Sequence, residues 1–196
     1  MSVPDLSALI GSRICHDIIS PLGAIGNGVE LLALSQAAAP EEIELINRSV
    51  ANANAKVQLF RLAFGTADPD QSVAAAEIAT LLGAYFAESK TTCEVPQANP
   101  LPRPEAKAAL LATLCLDSAL PRGGTIRLTR SGTRWTVAAT GALKPDPESW
   151  AALEGAAPAQ APTASTVHFA LLPQALADLG RDARIIRAPE QLAIAF

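Results

Sequence analysis

The chain holds two histidines, and one of them sits among residues that could do chemistry with it. His16 falls in the run Arg13-Ile14-Cys15-His16-Asp17-Ile18-Ile19-Ser20-Pro21-Leu22. An imidazole is largely neutral near pH 7, so one ring nitrogen is available as a nucleophile or base. On a helix, Arg13 and Ser20 lie one turn to either side of His16 and share its face. Ser20 can offer a hydrogen bond. Asp17 can accept an imidazole N–H, although neighbouring helical side chains point about 100° apart and its help is expected to be oblique. His168 has no such company and reads as structural. Cys15 turns toward a different face and reads as packing.

A helix must carry this run. It starts at Ser2 or at Pro4-Asp5, with the Asp5 carboxylate favourably placed at the helix N-terminus. Ile14, Ile18, Leu22, Ile25, Val29 and Leu32 then recur at steps of three and four, close to a 3.5-residue seam. The opposite face carries Arg13, His16, Ser20, Gly23, Asn27 and Glu30, and is polar and small. Glycine costs about 1 kcal/mol against alanine inside a helix, so Gly23 and Gly26 suggest that another backbone approaches closely; a merely bent helix is the plainer alternative. Pro21 lacks an N–H for the carbonyl of Asp17 and predicts a kink one turn after His16.

Ala37-Ala38-Ala39-Pro40 breaks the helix. Glu41 and Glu42 open a second one, whose seam is Ile43, Ile46, Val50, Ala53, Val57, Phe60 and Phe64. Two long helices joined by a short loop run antiparallel. A hairpin cannot bury two full seams alone, which predicts a four-helix bundle made by two copies of the chain. Packing of the hairpin on the rest of a monomer is the alternative.

Composition agrees with a helix-rich fold. Hydrophobic residues make up 49% and aromatics 4%, favouring small, tightly packed side chains. A net charge of −4 without a basic stripe argues against a nucleic-acid partner. No uninterrupted apolar run reaches the roughly 18 residues of a membrane span, and residues 1–10 lack a basic leader region. The three cysteines are widely spaced and read as reduced thiols, consistent with a cytoplasmic protein and with no zinc site.

The remainder reads as a second unit. Gly65–Asp70 is a linker dividing residues 1–66 from 71–196. Helices are expected over 73–89, 104–120, 145–154 and 166–179, and strands over 91–95, 125–130, 134–140, 183–187 and 191–196. Residues 97–104 and 155–162 read as loops, the latter as mobile. Helices on a mainly antiparallel sheet make a two-layer α/β sandwich, so the fold class is α+β.

The stretch His16-Asp17-Ile18-Ile19-Ser20-Pro21-Leu22 resembles the H-box of sensor histidine kinases. That resemblance implies a dimerisation and phosphotransfer bundle with the histidine exposed, and a sandwich like a histidine-kinase ATPase domain. Leu110–Gly124 looks like the helix and Gly-Gly turn of the nucleotide site, but its two asparagines fall on Leu111 and Cys115. The adenine-reading aspartate is missing near Ala139-Thr140-Gly141. A hairpin of this kind joined to a nucleotide-dead sandwich is similar to the ChpT-type histidine phosphotransferases of alphaproteobacterial phosphorelays.

By that resemblance His16 accepts a phosphoryl group from the receiver domain of a hybrid histidine kinase and returns it to response regulators. From its place one turn before His16, Arg13 is expected to pair with phosphoryl oxygens, a solvated helix face being the plainer alternative for it and for Ser20; Ser12, Gly23 and Asn27 are expected to line the docking face. No cofactor is expected on this chain, because magnesium comes with the receiver. A cell-cycle role is implied in the same way. An ATP-dependent kinase core and a non-catalytic dimeric scaffold are the competing functions.

Overall fold

The computed structural model describes residues 5–34, 40–96, 100–156 and 160–196. The breaks expected at 37–39, part of the loop at 97–104 and the middle of the loop at 155–162 lie outside those residues, as do Ser2 and Pro4. Helix α1 (Leu6–Leu34) is capped by Asp5, whose Oδ1 accepts from Ser7 N at 3.0 Å and Ala8 N at 3.1 Å. Helix α2 (Pro40–Phe64) carries Glu41 and Glu42 in its first turn and Arg61 in its last, each sign favourable to the helix dipole.

The two helices pack along their length. Gly28 is a point of close approach: a Cβ there would stand 2.6 Å from Ile46 Cγ1. Gly23 and Gly26 meet no other part of the chain. The seams divide in two. Ile14, Ile18, Ile25, Leu32, Ile46 and Ala53 are partly covered, whereas Leu22 and Val29 on α1 and Ile43, Val50 and Val57 on α2 stay exposed.

By length and composition α1 is also apolar enough to cross a bilayer, with a mean hydropathy of 1.2 over 18 residues. The window average admits it where the search for an uninterrupted run did not. Arg13, Asp17 and Glu30 lie within α1, and a charged residue costs about 2.5–3.5 kcal/mol at a bilayer centre on insertion scales.

Beyond the hairpin come β1 (Ser72–Val73), α3 (Ala75–Phe86), β2 (Thr91–Glu94), β3 (Leu101–Pro102), α4 (Arg103–Asp117), β4 (Gly124–Ser131), β5 (Arg134–Gly141), α5 (Pro147–Leu153), a 3-10 turn (Ala164–Thr166), α6 (Val167–Ala177), β6 (Arg184–Ala188) and β7 (Gln191–Ala195). The expected strands all appear. The short β1–β3 pair was not anticipated, because two-residue strands carry no periodicity. The main sheet runs β2-β4-β5-β7-β6, parallel at β2/β4 and antiparallel elsewhere. Gly123 has φ 83° and lies against the Lys90 carbonyl, so the Gly-Gly turn into β4 admits no side chain there.

Alternation on β4, β5 and β7 puts Ile126, Leu128, Trp135, Val137, Leu192 and Ile194 on one buried face, under α4, against which α6 packs. Within this layer Glu105 accepts from Trp135 Nε1, Arg130 Nη2 and Arg181 Nη2, each at 2.9 Å. Burial alone would raise the pKa of this carboxyl; its three partners prevail and hold it below the usual glutamate value. The buried cluster does not stop at the linker: Leu59, Leu62 and Ala63 of α2 belong to it with Leu81 and Leu82 of α3.

His168 is buried in α6, and its Nε2 has no partner among the described residues. Burial, with the Arg13 charge acting the same way and Asp17 against it, pushes its pKa down to about 3. The unfolded chain protonates this ring near pH 6.5, at roughly its ordinary value. Between those limits the unfolded state binds the extra proton, so stability falls as pH falls. One such group loses about 2 kcal/mol between pH 7 and pH 5. The Glu105 loss begins only below the ordinary glutamate range. His168→Phe is therefore expected to remove about 2 kcal/mol of the pH 7-to-5 stability drop in urea titrations, without lowering stability at pH 7. An unchanged drop would contradict the assignment.

Candidate functional site

His16 stands on the outer face of α1 with its side chain 85% exposed. Its Nδ1 is 2.9 Å from Asp17 Oδ1. An ionised carboxylate can only accept, so this contact places the ring proton on Nδ1 and leaves the lone pair on Nε2, facing solvent. The expected 100° separation is overcome by side-chain rotation: Asp17 turns back toward the preceding residue, and its own side chain is only 14% exposed.

What holds Asp17 in that rotamer is Arg13. The Arg13 Nε donates to Asp17 Oδ2 at 2.7 Å, and its Nη1 donates to the Ser165 carbonyl at 3.1 Å. The guanidinium is thus engaged inward. Its side chain keeps 21% of its surface exposed. Tyr85 of α3 packs beside the same guanidinium. Burial, and then the Asp117 charge, push its phenol well above the usual range, with Arg13 opposing. Asp117, at the end of α4, is raised by burial against a 3.3 Å hydrogen bond from Thr91 Oγ1 and the pull of Arg13. A layer of polar groups from the sandwich therefore lies directly behind the His16 turn.

Pro21 lies inside α1 and is buried. The Asp17 carbonyl that it leaves without an amide accepts instead from Lys56 Nζ of α2, at 3.1 Å. A polar cleft of about 350 Å³ opens beside this contact, lined by Ser20, Asn52, Lys56, Tyr85 and Asp117 among others. Ser20 lies on the cleft one turn from His16. Ser12, Gly23 and Asn27 are exposed on the same helix face as His16.

Of the residues singled out in the sequence, Arg13 and His16 contact the two oxygens of Asp17, and Ser12, Ser20, Gly23 and Asn27 lie on the His16 face of the helix. Sequence reasoning missed Lys56, Tyr85, Asp117 and Ser165. The Pro21 gap was a usable signal for Lys56, since it announced a carbonyl in need of a donor. Nothing local marked the other three.

The positions aligned with a nucleotide site give a different picture. Leu111 and Cys115 of α4 are wholly buried in the core, and burial pushes the Cys115 thiol well above its ordinary value. Neither a leucine nor a protonated thiol can ligate magnesium, so these residues do not fit a nucleotide–metal group. Burial pushes the Cys93 thiol up to about 12. Among the described residues no three His, Cys, Asp or Glu side chains converge as a metal site.

Three comparisons bear on this arrangement. Residues 75–191, more than half of the chain, match the family model for the histidine phosphotransferase C-terminal domain. A protein of Brucella abortus (strain 2308), the protein phosphotransferase ChpT, is 38% identical over 166 residues, spanning 81% of this chain and 78% of the relative. A solved structure described as a bacterial phosphotransferase superposes with a TM-score of 0.79 at 33% identity, covering 100% of this chain and 97% of the other. An exposed histidine braced by a carboxylate on a helical hairpin, joined to a sandwich that matches this model, belongs to the histidine phosphotransferase family.

Proposed function

We propose that the chain carries phosphoryl groups between receiver domains through His16, in a phosphorelay and without ATP. The observation that carries this reading is the exposed His16 ring, with Nδ1 pinned by Asp17 and Nε2 outward. The Nε2 lone pair attacks the phosphorus of a receiver's aspartyl phosphate in line. A P–N bond forms, the P–O bond to the aspartate breaks, and the receiver's carboxylate leaves. Positive charge grows on the ring as Nε2 is phosphorylated, and the Asp17 carboxylate stabilises it through the Nδ1 proton. The reverse sequence delivers the group to the acceptor's aspartate. Charge remains spread over the phosphoryl oxygens, so the chain contributes chiefly position. Magnesium belongs to the receiver.

The relative named a protein phosphotransferase supports this reading, as does the burial of Leu111 and Cys115 where a kinase would need ligands. The donor is the receiver of a hybrid histidine kinase and the acceptors are response regulators. They dock on the face made by Ser12, Ser20, Gly23 and Asn27, where small side chains let a receiver bring its aspartate close to Nε2. Arg13 acts through Asp17.

The functional unit is a homodimer. Leu22 and Val29 are seven residues apart, and so are Ile43, Val50 and Val57; all are exposed on the single chain. A seven-residue apolar repeat on both helices of a hairpin is the seam of a left-handed bundle, and a second copy covers it.

Incubation with a receiver carrying radiolabelled aspartyl phosphate tests the transfer. The wild-type chain should take up acid-labile label and pass it to a second receiver, and His16→Ala should stay at background. Labelled ATP alone should give no incorporation; label from ATP would make the chain a kinase. A chain that binds receivers yet never takes label would be a scaffold. The bundle has its own test. Val29→Glu combined with Val50→Glu buries two unpaired charges per copy, at several kcal/mol each. Light scattering should then read the mass of one chain in place of two. A wild-type monomer at micromolar concentration would refute the intermolecular bundle.

A further inference from the structure

The ladder of α1 has a gap at one oxygen. Pro21 carries no N–H, and the carbonyl it leaves is that of Asp17. The donor that fills the gap comes from α2, 39 residues away in the chain: Lys56 Nζ at 3.1 Å. Lys56 is half-buried along the cleft wall, so its ammonium is directed across the hairpin at this carbonyl. Asp17 is also the residue that orients His16. Its carboxylate is held by Arg13, one turn back on α1. Its main chain is held by Lys56, on the other helix. Main chain and side chain therefore have separate anchors on separate elements.

We infer that Lys56 is a positioning residue for transfer through His16. It supplies the hydrogen bond that Pro21 cannot, and so keeps the Asp17 carboxylate against Nδ1. This rests on reading His16 as the phosphoryl carrier. Without Lys56 the Asp17 carbonyl turns toward the open cleft for water, and the Cα–Cβ vector that aims the carboxylate turns with it. The His16 ring then samples both tautomers, and Nε2 presents its lone pair for part of the time only.

The test uses the full chain and three variants: Lys56→Met, Lys56→Arg, and Lys56→Met combined with Pro21→Ala. The first readout is the single-turnover rate of label transfer from a phosphorylated receiver, measured across receiver concentration. The second is the nitrogen NMR spectrum of His16, which reports its tautomer. Lys56→Met should slow transfer about tenfold at saturating receiver, leave the half-saturating concentration unchanged, and move His16 toward mixed tautomers. Lys56→Arg should recover most of the rate. The added N–H at position 21 should restore the rate and the spectrum in the combined variant, because it meets the same carbonyl. Lys56→Met within twofold of wild type, a deficit confined to receiver affinity, or a loss that Pro21→Ala leaves undiminished would each overturn the inference. A wild-type chain that takes no label overturns the carrier reading itself, before any Lys56 variant is compared.

Discussion

Both oxygens of Asp17 are taken. One accepts from Arg13 at 2.7 Å and the other meets His16 Nδ1 at 2.9 Å. An exposed histidine alone would rotate through its rotamers and exchange its ring proton freely. A carboxylate on one nitrogen removes half of that freedom and assigns the other nitrogen to the outside. The carboxylate can do this only if it does not itself wander, and the Arg13 bridge prevents that. Arg13 in turn is anchored by the Ser165 carbonyl, which belongs to the turn preceding α6. The orientation of a surface imidazole thus depends on a chain of contacts that ends in the second half of the sequence.

The proline one turn further on is costly, by about 3 kcal/mol in a helix interior. A cost of that size at this place has a local consequence: it exposes the carbonyl of the very residue that orients the histidine. Tertiary structure answers with a lysine from α2. Local propensity and tertiary contact disagree here, beside the histidine, where disagreements of this kind are expected in functional proteins.

Much of this was legible in the residues. The three-and-four spacing of Ile14 to Leu32 and Ile43 to Phe64 gave two helices, because apolar periodicity is a local property of the chain. Alternation gave the β4–β5 hairpin for the same reason. The site divided along a different line. Arg13, His16, Asp17 and Ser20 lie within two turns of helix, so spacing alone placed them near one another. Ser165 is 152 residues from Arg13, and no pattern in either segment refers to the other. Asp17 shows the remaining limit. Backbone geometry put its Cβ 100° from that of His16, yet a rotamer change closed the distance, and rotamers are chosen by partners that spacing does not list. Glycine marks permission for a close approach, and within the chain Gly28 is where that permission is used.

The sandwich raises a question of economy. Its α4 has leucine and cysteine packed into the core at the positions that resemble nucleotide-site asparagines, yet the layer is well built, with Glu105 tying Trp135, Arg130 and Arg181 together at its centre. Its contacts with the hairpin suggest why a layer without those ligands is worth keeping. Arg103 Nη2 donates to the Arg61 carbonyl at 3.3 Å and Lys107 Nζ to the Gly65 carbonyl at 2.9 Å, so two cations of α4 hold a carbonyl in the last turn of α2 and the one just past its end. Ser165 holds Arg13 on α1. Each helix of the hairpin therefore has its own tether to the sandwich, one at the foot of α2 and one beside the histidine. Two tethers fix the rotation of the hairpin against the sandwich where a single one would leave a hinge. That rotation also sets the direction in which the exposed Nε2 of His16 points relative to the sandwich surface.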